Sequence, residues 1–111
     1  MNKNPQAEAI RDLNDWFRCT LEGGAVLLTA GVVALGGEAQ ARIIEAVRAF
    51  DDFTPENDPH GEHDFGSLEV DGEQIFFKLD YYDLTRAIHS ENPADPSVTE
   101  RVLTIMLASE Y

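Results

Sequence analysis

A length of 111 residues suits one domain of ordinary size, and no internal repeat suggests a second. Apolar residues make up 43% of the chain, enough for a core without metal ions or disulfides. Aspartate and glutamate number 21 against 8 lysines and arginines, giving a net charge of −13. Repulsion from phosphates therefore excludes direct nucleic-acid binding, and we expect one acidic domain over residues 1–111.

The single cysteine and the N-terminal residues bear on localisation. Cys19 has no partner for an intrachain disulfide and is interpreted as a small buried residue of a helix. Residues 1–9 carry one lysine and no apolar run, unlike a secretory signal, and no stretch approaches the roughly 18 apolar residues of a membrane span. We expect a cytoplasmic protein that does not contact membranes.

The first half of the chain predicts two helices and a strand. Apolar residues recur at spacings of three and four over positions 5–19, which predicts an amphipathic helix. Its expected inner face carries Ile10, Leu13, Trp16 and Phe17. The apolar run at 25–30 predicts a buried strand, and positions 38–50 place Ala41, Ile44 and Val47 on one face of a second helix.

The second half predicts a loop, a hairpin and a third helix. Residues 51–66, rich in proline, glycine and carboxylates, indicate a long loop. Asp71-Gly72 between two β-rich segments, 67–70 and 74–80, predicts a hairpin with a type I′ turn. Asp95 as a cap, or a capping box of Ser97 and Glu100, would begin a C-terminal helix. The order α-β-α-β-β-α predicts an α+β fold with about three mainly antiparallel strands and three helices that cover one face of the sheet. The alternative is a sheet between helices on both faces.

Three strings of the sequence carry a family resemblance. They are EHDFG at positions 62–66, DYYD at 80–83 and RVLTIMLASEY at 101–111. With them, residues 21–111 resemble a bacterial family known only as a domain of unknown function, number 3768. The resemblance implies no activity. It implies a context of plasmid and phage genes, in which small acidic proteins often act against host defence.

The acidic residues are concentrated between positions 51 and 83, where eleven carboxylates accompany one lysine. Partly exposed aromatics beside such charges are typical of protein-binding surfaces, whereas the plainer alternative is a solvated face. If displayed on one side, the carboxylates could match the phosphates of about 19 Å of duplex. The predicted partner-binding residues are Asp51, Asp52, Glu56, Asp58, Glu62, Asp64, Phe65, Asp80, Tyr81, Tyr82 and Asp83.

A metal site is the main alternative. Asp58, His60, His63 and Asp64 offer carboxylate and imidazole ligands, and Asp80 or Asp83 could then act as a general base. The spacing does not match a helical HExxH site, and the same residues could instead hold a tight turn by bonding backbone amides. No phosphate-binding loop or nucleophile elbow is present.

These patterns favour a non-enzymatic protein without a cofactor. The leading hypothesis is an inhibitor encoded by a mobile element, acting as an anti-CRISPR or anti-restriction protein by presenting a DNA-like carboxylate surface. Its expected partner is a basic nucleic-acid-binding protein or complex. The alternatives are a metal-dependent enzyme and a self-associating domain, in which copies pair through an edge strand or the last helix.

Overall fold

The computed structural model describes residues 5–111 as a sheet with helices packed on it. The helices in that range are α1 (Pro5–Thr20), α2 (Ala30–Val33) and α3 (Gly37–Ala49). The strands are β1 (Gly24–Leu28), β2 (Phe65–Val70), β3 (Glu73–Tyr82) and β4 (Glu100–Leu107), with a 3₁₀ turn at Ala108–Glu110. The predicted α+β class is confirmed, and positions 1–4 of the predicted domain lie outside the described residues.

The sheet is larger and more mixed than the sequence predicted. Its four strands lie in the order β1-β4-β3-β2. The neighbours β2–β3 and β3–β4 are antiparallel, whereas β1 is parallel to β4. The predicted hairpin joins β2 to β3. Its turn residues Asp71 and Gly72 have φ values of 53° and 81°, and a type I′ turn requires positive φ at both positions.

The predicted C-terminal helix is wrong, because this segment forms the central strand β4. Strand β4 pairs with β1 on one side and β3 on the other, and both of its faces are largely buried. A strand buried on both faces has a nearly continuous apolar sequence, which resembles the broad apolar face of a helix. The expected cap Asp95 instead accepts hydrogen bonds from the amide and the hydroxyl of Ser97, at 2.9 and 2.7 Å, in an irregular segment.

The core lies between the helices and one face of the sheet. Its buried residues include Phe17 of α1, Ile43 and Val47 of α3, Phe77 of β3 and Ile105 of β4. The buried residues of α3 are thus Ile43 and Val47, whereas the predicted inner face was centred on Ile44. The opposite face of the sheet carries no helix among the described residues.

Helix α1 packs with a narrower apolar face than predicted. Trp16 and Cys19 are exposed, because Asn14 and Arg18 take buried positions beside Phe17. The Arg18 guanidinium donates to the carbonyl oxygens of Val47, Arg48 and Phe50 at 2.8–3.0 Å. These carbonyls close the C-terminal end of α3, where a cation is favourable.

None of the helices within residues 5–111 combines the length and the apolar character needed to cross a bilayer.

Candidate functional site

The first part of the acidic loop, residues 51–57, is exposed except at Phe53 and Thr54 and is structured by its own side chains. Asn57 receives a hydrogen bond from the Thr54 amide at 2.8 Å and donates one to the Asp52 carbonyl at 2.8 Å. Asp51, Asp52 and Glu56 are exposed, and no ion pair joins them to any cation in residues 5–111. These three carboxylates are therefore free to contact a partner.

The second part of the loop is fastened to α1 through His63. The His63 ring stacks on Phe53 with a centroid separation of 3.8 Å, and its Nδ1 lies 2.9 Å from an Asp15 carboxylate oxygen on α1. The Asp58 side chain is almost fully buried and accepts a hydrogen bond from the His63 amide at 3.2 Å. His63 has a positive φ of 54°, which marks the tight turn that this contact holds.

The residues predicted as metal ligands do not form a donor set. Throughout residues 5–111, no cluster of three or more His, Cys, Asp or Glu side chains is arranged to hold a metal ion. His60 is exposed, whereas His63 is occupied by Asp15 and Asp58. The structure therefore matches the other interpretation of this loop, in which Asp58 satisfies a turn amide.

A buried polar network joins α1, the acidic loop and the two central strands. Its centre is the fully buried Asn14, whose amide nitrogen donates to the Tyr81 hydroxyl at 2.7 Å and to the Glu62 carbonyl at 2.9 Å. The Asn14 carbonyl oxygen accepts from Nε of Arg101 at 2.9 Å. Arg101 also donates to the Pro93 carbonyl and lies 5.2 Å from the centroid of the Tyr81 ring. Asn14 thus connects the acidic loop to β3 and β4, and Arg101 extends the network to the loop between these two strands.

Electrostatics in this network follow from burial. Burial is the largest cause that raises the pKa of Tyr81. The neighbouring Glu62 carboxylate, which accepts a hydrogen bond from the Tyr81 hydroxyl at 2.9 Å, raises it further. Burial also lowers the pKa of Arg101. The pKa of Asp64 is raised by burial first and then by repulsion from Glu62. Tyr81 therefore stays neutral, and its hydroxyl donates a hydrogen bond to the Glu62 carboxylate.

The structure places Tyr81 in the interior and not on the predicted partner surface. Tyr81 is 7% exposed, because every second residue of β3 faces the helices and Tyr81 continues the buried series of Ile75, Phe77 and Leu79. The Glu62 carboxylate accepts a hydrogen bond from the Tyr81 hydroxyl, the Asp58 carboxylate accepts one from the His63 amide, and Asp64 is half-buried beside Glu62. Asp58, Glu62 and Tyr81 thus help to hold the loop in place, and a partner protein does not reach the buried Tyr81.

Phe65, Asp80 and Tyr82 lie on the opposite, helix-free face of the sheet. Phe65 packs with its centroid 5.2 Å from Phe76 and 5.8 Å from Tyr111. Asp80 forms an ion pair with Lys78 at 3.1 Å. The predicted residues thus do not share one surface.

Asp83 shapes the segment that follows β3. Its carboxylate accepts from the Thr85 amide at 3.1 Å, the Thr85 hydroxyl at 2.7 Å and the Ala87 amide at 3.2 Å. The hydrogen bond from the Thr85 hydroxyl is the largest cause that lowers the pKa of Asp83. This is the usual role of an aspartate at a strand end, and it leaves the side chain ionised at the surface.

The EHDFG and DYYD strings acquire structural roles in this arrangement. They supply Glu62, His63 and Asp64 to the buried side of the loop, and Tyr81 and Asp83 to the end of β3. A Cβ atom at Gly66 would overlap the Phe77 ring, so the glycine lets β2 approach the core.

Asn14 and Arg101, which join α1 to β4 in the network, were not among the predicted site residues. Two features of the sequence could have indicated them. Asn14 is a polar residue at a core-facing position of a helix, and Arg101 is an arginine beside an apolar run. The sequence did not indicate that the two residues are in contact, because 87 positions separate them.

Fold and site together define a small acidic α+β protein whose long loops are held to a mixed sheet by buried polar side chains. The chain belongs to the family described as Protein of unknown function (DUF3768), whose model matches residues 28–110. No curated protein and no solved structure matches the chain. The matched range begins within β1, so α1 with its Asn14 lies outside it.

Proposed function

We propose that this protein is a non-enzymatic inhibitor that binds a basic nucleic-acid-binding protein through a local acidic surface. We call this surface the acidic flank and define it by the carboxylates of Asp51, Asp52, Glu56, Glu69 and Glu73. All five are exposed, and none forms an ion pair with a described cation. Their freedom from counter-charges is the observation that carries the proposal.

The elements that carry the acidic flank lie along the β2 edge of the sheet, where Glu69 and Glu73 point to opposite faces of the β2–β3 hairpin. Phe50, at the end of α3, would contact a Cβ atom at Gly66 of β2 at 3.1 Å. Arg42 of α3 pairs with Asp71 of the hairpin turn at 2.7 Å. Helix α3 therefore lies along the edge strand β2, with the acidic loop at one end and the hairpin turn at the other.

The basic residues strengthen the argument because they are already occupied. Between residues 5 and 111, every lysine and arginine is either ion-paired or buried. The unpaired surface charge is thus negative, which attracts a basic partner and accelerates its association.

The acidic flank is smaller than the surface expected from the sequence. A six-residue strand spans about 20 Å, and a duplex of that length carries about 12 phosphate charges. Five free carboxylates supply less than half of that number. The proposal is therefore electrostatic capture of a DNA-binding surface, with a restriction or CRISPR effector as the partner class to test and the cytoplasm as the expected location.

Two double variants with the same change in net charge test the proposal. Asp52→Lys with Glu56→Lys reverses two charges of the acidic flank, whereas Asp12→Lys with Glu22→Lys reverses two elsewhere. Purified restriction and CRISPR effectors serve as binding partners in calorimetry at several salt concentrations, with duplex DNA as competitor. We expect the flank variant to weaken binding about tenfold or more and the control pair to change it much less.

Three results would contradict the proposal. They are the absence of binding across the effector panel, an affinity that does not fall with salt, and equal losses for the two double variants. Sedimentation of the free protein separately tests the prediction of self-association, which the −13 net charge opposes.

A further inference from the structure

The segment between β3 and β4 displays apolar side chains in a fixed conformation. Leu84 and Ile88 are each 63% exposed, and Val98 is 41% exposed. They belong to the wall of an open cleft of about 310 Å³. The cleft is lined by Asp83, Leu84, Thr85, Ile88, Glu91 and Val98.

The first wall of the cleft is held by local hydrogen bonds. Asp83 bonds Thr85 and Ala87 through its carboxylate, and its amide donates to the Ile88 carbonyl at 2.8 Å. Leu84 and Ile88 are therefore presented by a closed turn. A surface that is already ordered loses little conformational entropy when a partner binds.

The second wall is held by buried hydrogen bonds of Ser90 and Thr99 and by Arg101 of the buried polar network. Buried Ser90 and Thr99 share a hydrogen bond of 2.6 Å, and the Thr99 hydroxyl donates to the Asn92 carbonyl at 2.8 Å. The Ser90 amide donates to the Tyr81 carbonyl at 2.9 Å, and Arg101 bonds the Pro93 carbonyl. The interior thus fixes the backbone on either side of Glu91 and ahead of Val98.

The charges at the cleft are negative. Asp83 keeps a lowered pKa through its hydrogen bonds, with Thr85 as the main cause, and Glu91 forms no ion pair within residues 5–111. The basic residue of this segment, Arg86, is engaged by Glu100 at 2.6 Å. The apolar side chains of the cleft, with Asp83 and Glu91 beside them, complement an apolar side chain that lies next to a positive charge.

We propose that this cleft is a docking site for a protein segment in which a large apolar side chain lies next to a lysine or arginine. The inference rests on the proposed function, because it identifies a second contact to the same basic partner. A second copy of this chain fits poorly, since each copy brings a net charge of −13. An apolar anchor beside complementary charges is the usual composition of an interaction hot spot.

The test begins with a selection of 12-residue peptides from a random display library on the immobilised protein. Selection on the double variant Leu84→Ser, Ile88→Ser runs in parallel. Because both leucine and isoleucine are exposed, we expect this variant to fold, and circular dichroism checks that it does. We expect the native protein to enrich peptides that place a leucine or an aromatic residue beside lysine or arginine, and the variant to lose them.

The selected peptide then maps the site. Added to ¹⁵N-labelled protein, it should shift the amide signals of residues 83–99. The cleft variant should lower its affinity about tenfold or more, and Glu91→Gln should lower it less. Signals that move mainly in residues 51–73, equal affinity for the cleft variant, or enrichment of peptides without a basic residue would overturn the inference.

The effector panel separates this inference from the proposed function. If an effector loses affinity with the acidic-flank variant but not with the cleft variant, the cleft inference fails and the proposed function stands. If no effector binds while the peptide still occupies the cleft, the proposed function fails and the cleft is a docking site for a different basic protein.

Discussion

Replacing Asn14 by alanine tests the buried polar network most directly. The substitution removes one hydrogen bond to the charged Arg101 and two to neutral groups, the Tyr81 hydroxyl and the Glu62 carbonyl. A buried bond to a charged group contributes about 1.5–3 kcal/mol and a neutral one about 1 kcal/mol. The expected loss in the free energy of unfolding is therefore about 3–5 kcal/mol. For a chain of this size, this lowers the melting temperature by roughly 12–20 °C.

Urea denaturation followed by circular dichroism measures this loss, and Asp12→Ala on the exposed side of α1 is the matched control. A surface substitution of that kind changes stability by about 0.5 kcal/mol at most. The double variant Asn14→Ala, Tyr81→Phe should lose less than the sum of the single losses, because the two side chains share a bond. A loss below about 1 kcal/mol for Asn14→Ala, or full additivity with Tyr81→Phe, would refute the reasoning.

Two further predictions concern pH. The pKa of Tyr81 is raised above its ordinary 10.0, so its contribution to stability is complete below pH 10 and is lost as the pH rises towards the folded value. Tyr81→Phe should therefore flatten the fall in unfolding free energy above pH 10 in alkaline denaturation series, whereas Tyr82→Phe should keep it; equal slopes would contradict this. The pKa of Glu110 is lowered from 4.5, mainly by the Thr29 hydroxyl and also by the amides of Leu107 and Gly31. The stability that Glu110 contributes is present above pH 4.5 and is lost as the pH falls through its folded-state pKa. Glu110→Gln should therefore make the loss of unfolding free energy below pH 4.5 shallower. An unchanged acid-unfolding profile by circular dichroism would count against this prediction.

The parts of the fold that were predictable depend on neighbouring residues. The Asp71-Gly72 hairpin follows from a two-residue turn that needs positive φ at both positions, and both have it. Helices α1 and α3 follow from the spacing of their apolar residues. In each case the signal and the structure that it specifies lie within one short segment.

Strand β4 was not predictable in this way, because its conformation is set by distant partners. Its sequence, ERVLTIML, has enough apolar residues to cover a helix face, and burial between β1 and β3 decides the outcome. The exposed carboxylates of the site could not be predicted for the same reason. The carboxylates of residues 51–83 look alike in sequence, but Tyr81 engages the Glu62 carboxylate and His63 engages the Asp58 carboxylate, while Asp51 and Glu56 remain exposed.

The position of β4 has a consequence for how the chain reaches its native state. Strand β1 has one hydrogen-bonded neighbour in the sheet, and that neighbour comes last of the four strands in chain order, with Gly24 opposite Arg101. During synthesis, β1 cannot pair until β4 has left the ribosome. Contacts between such distant positions slow folding, so we expect the β2–β3 hairpin to form early and β1 to join the sheet late. In that interval the apolar edge of β1 is open to chaperones or to another nascent chain.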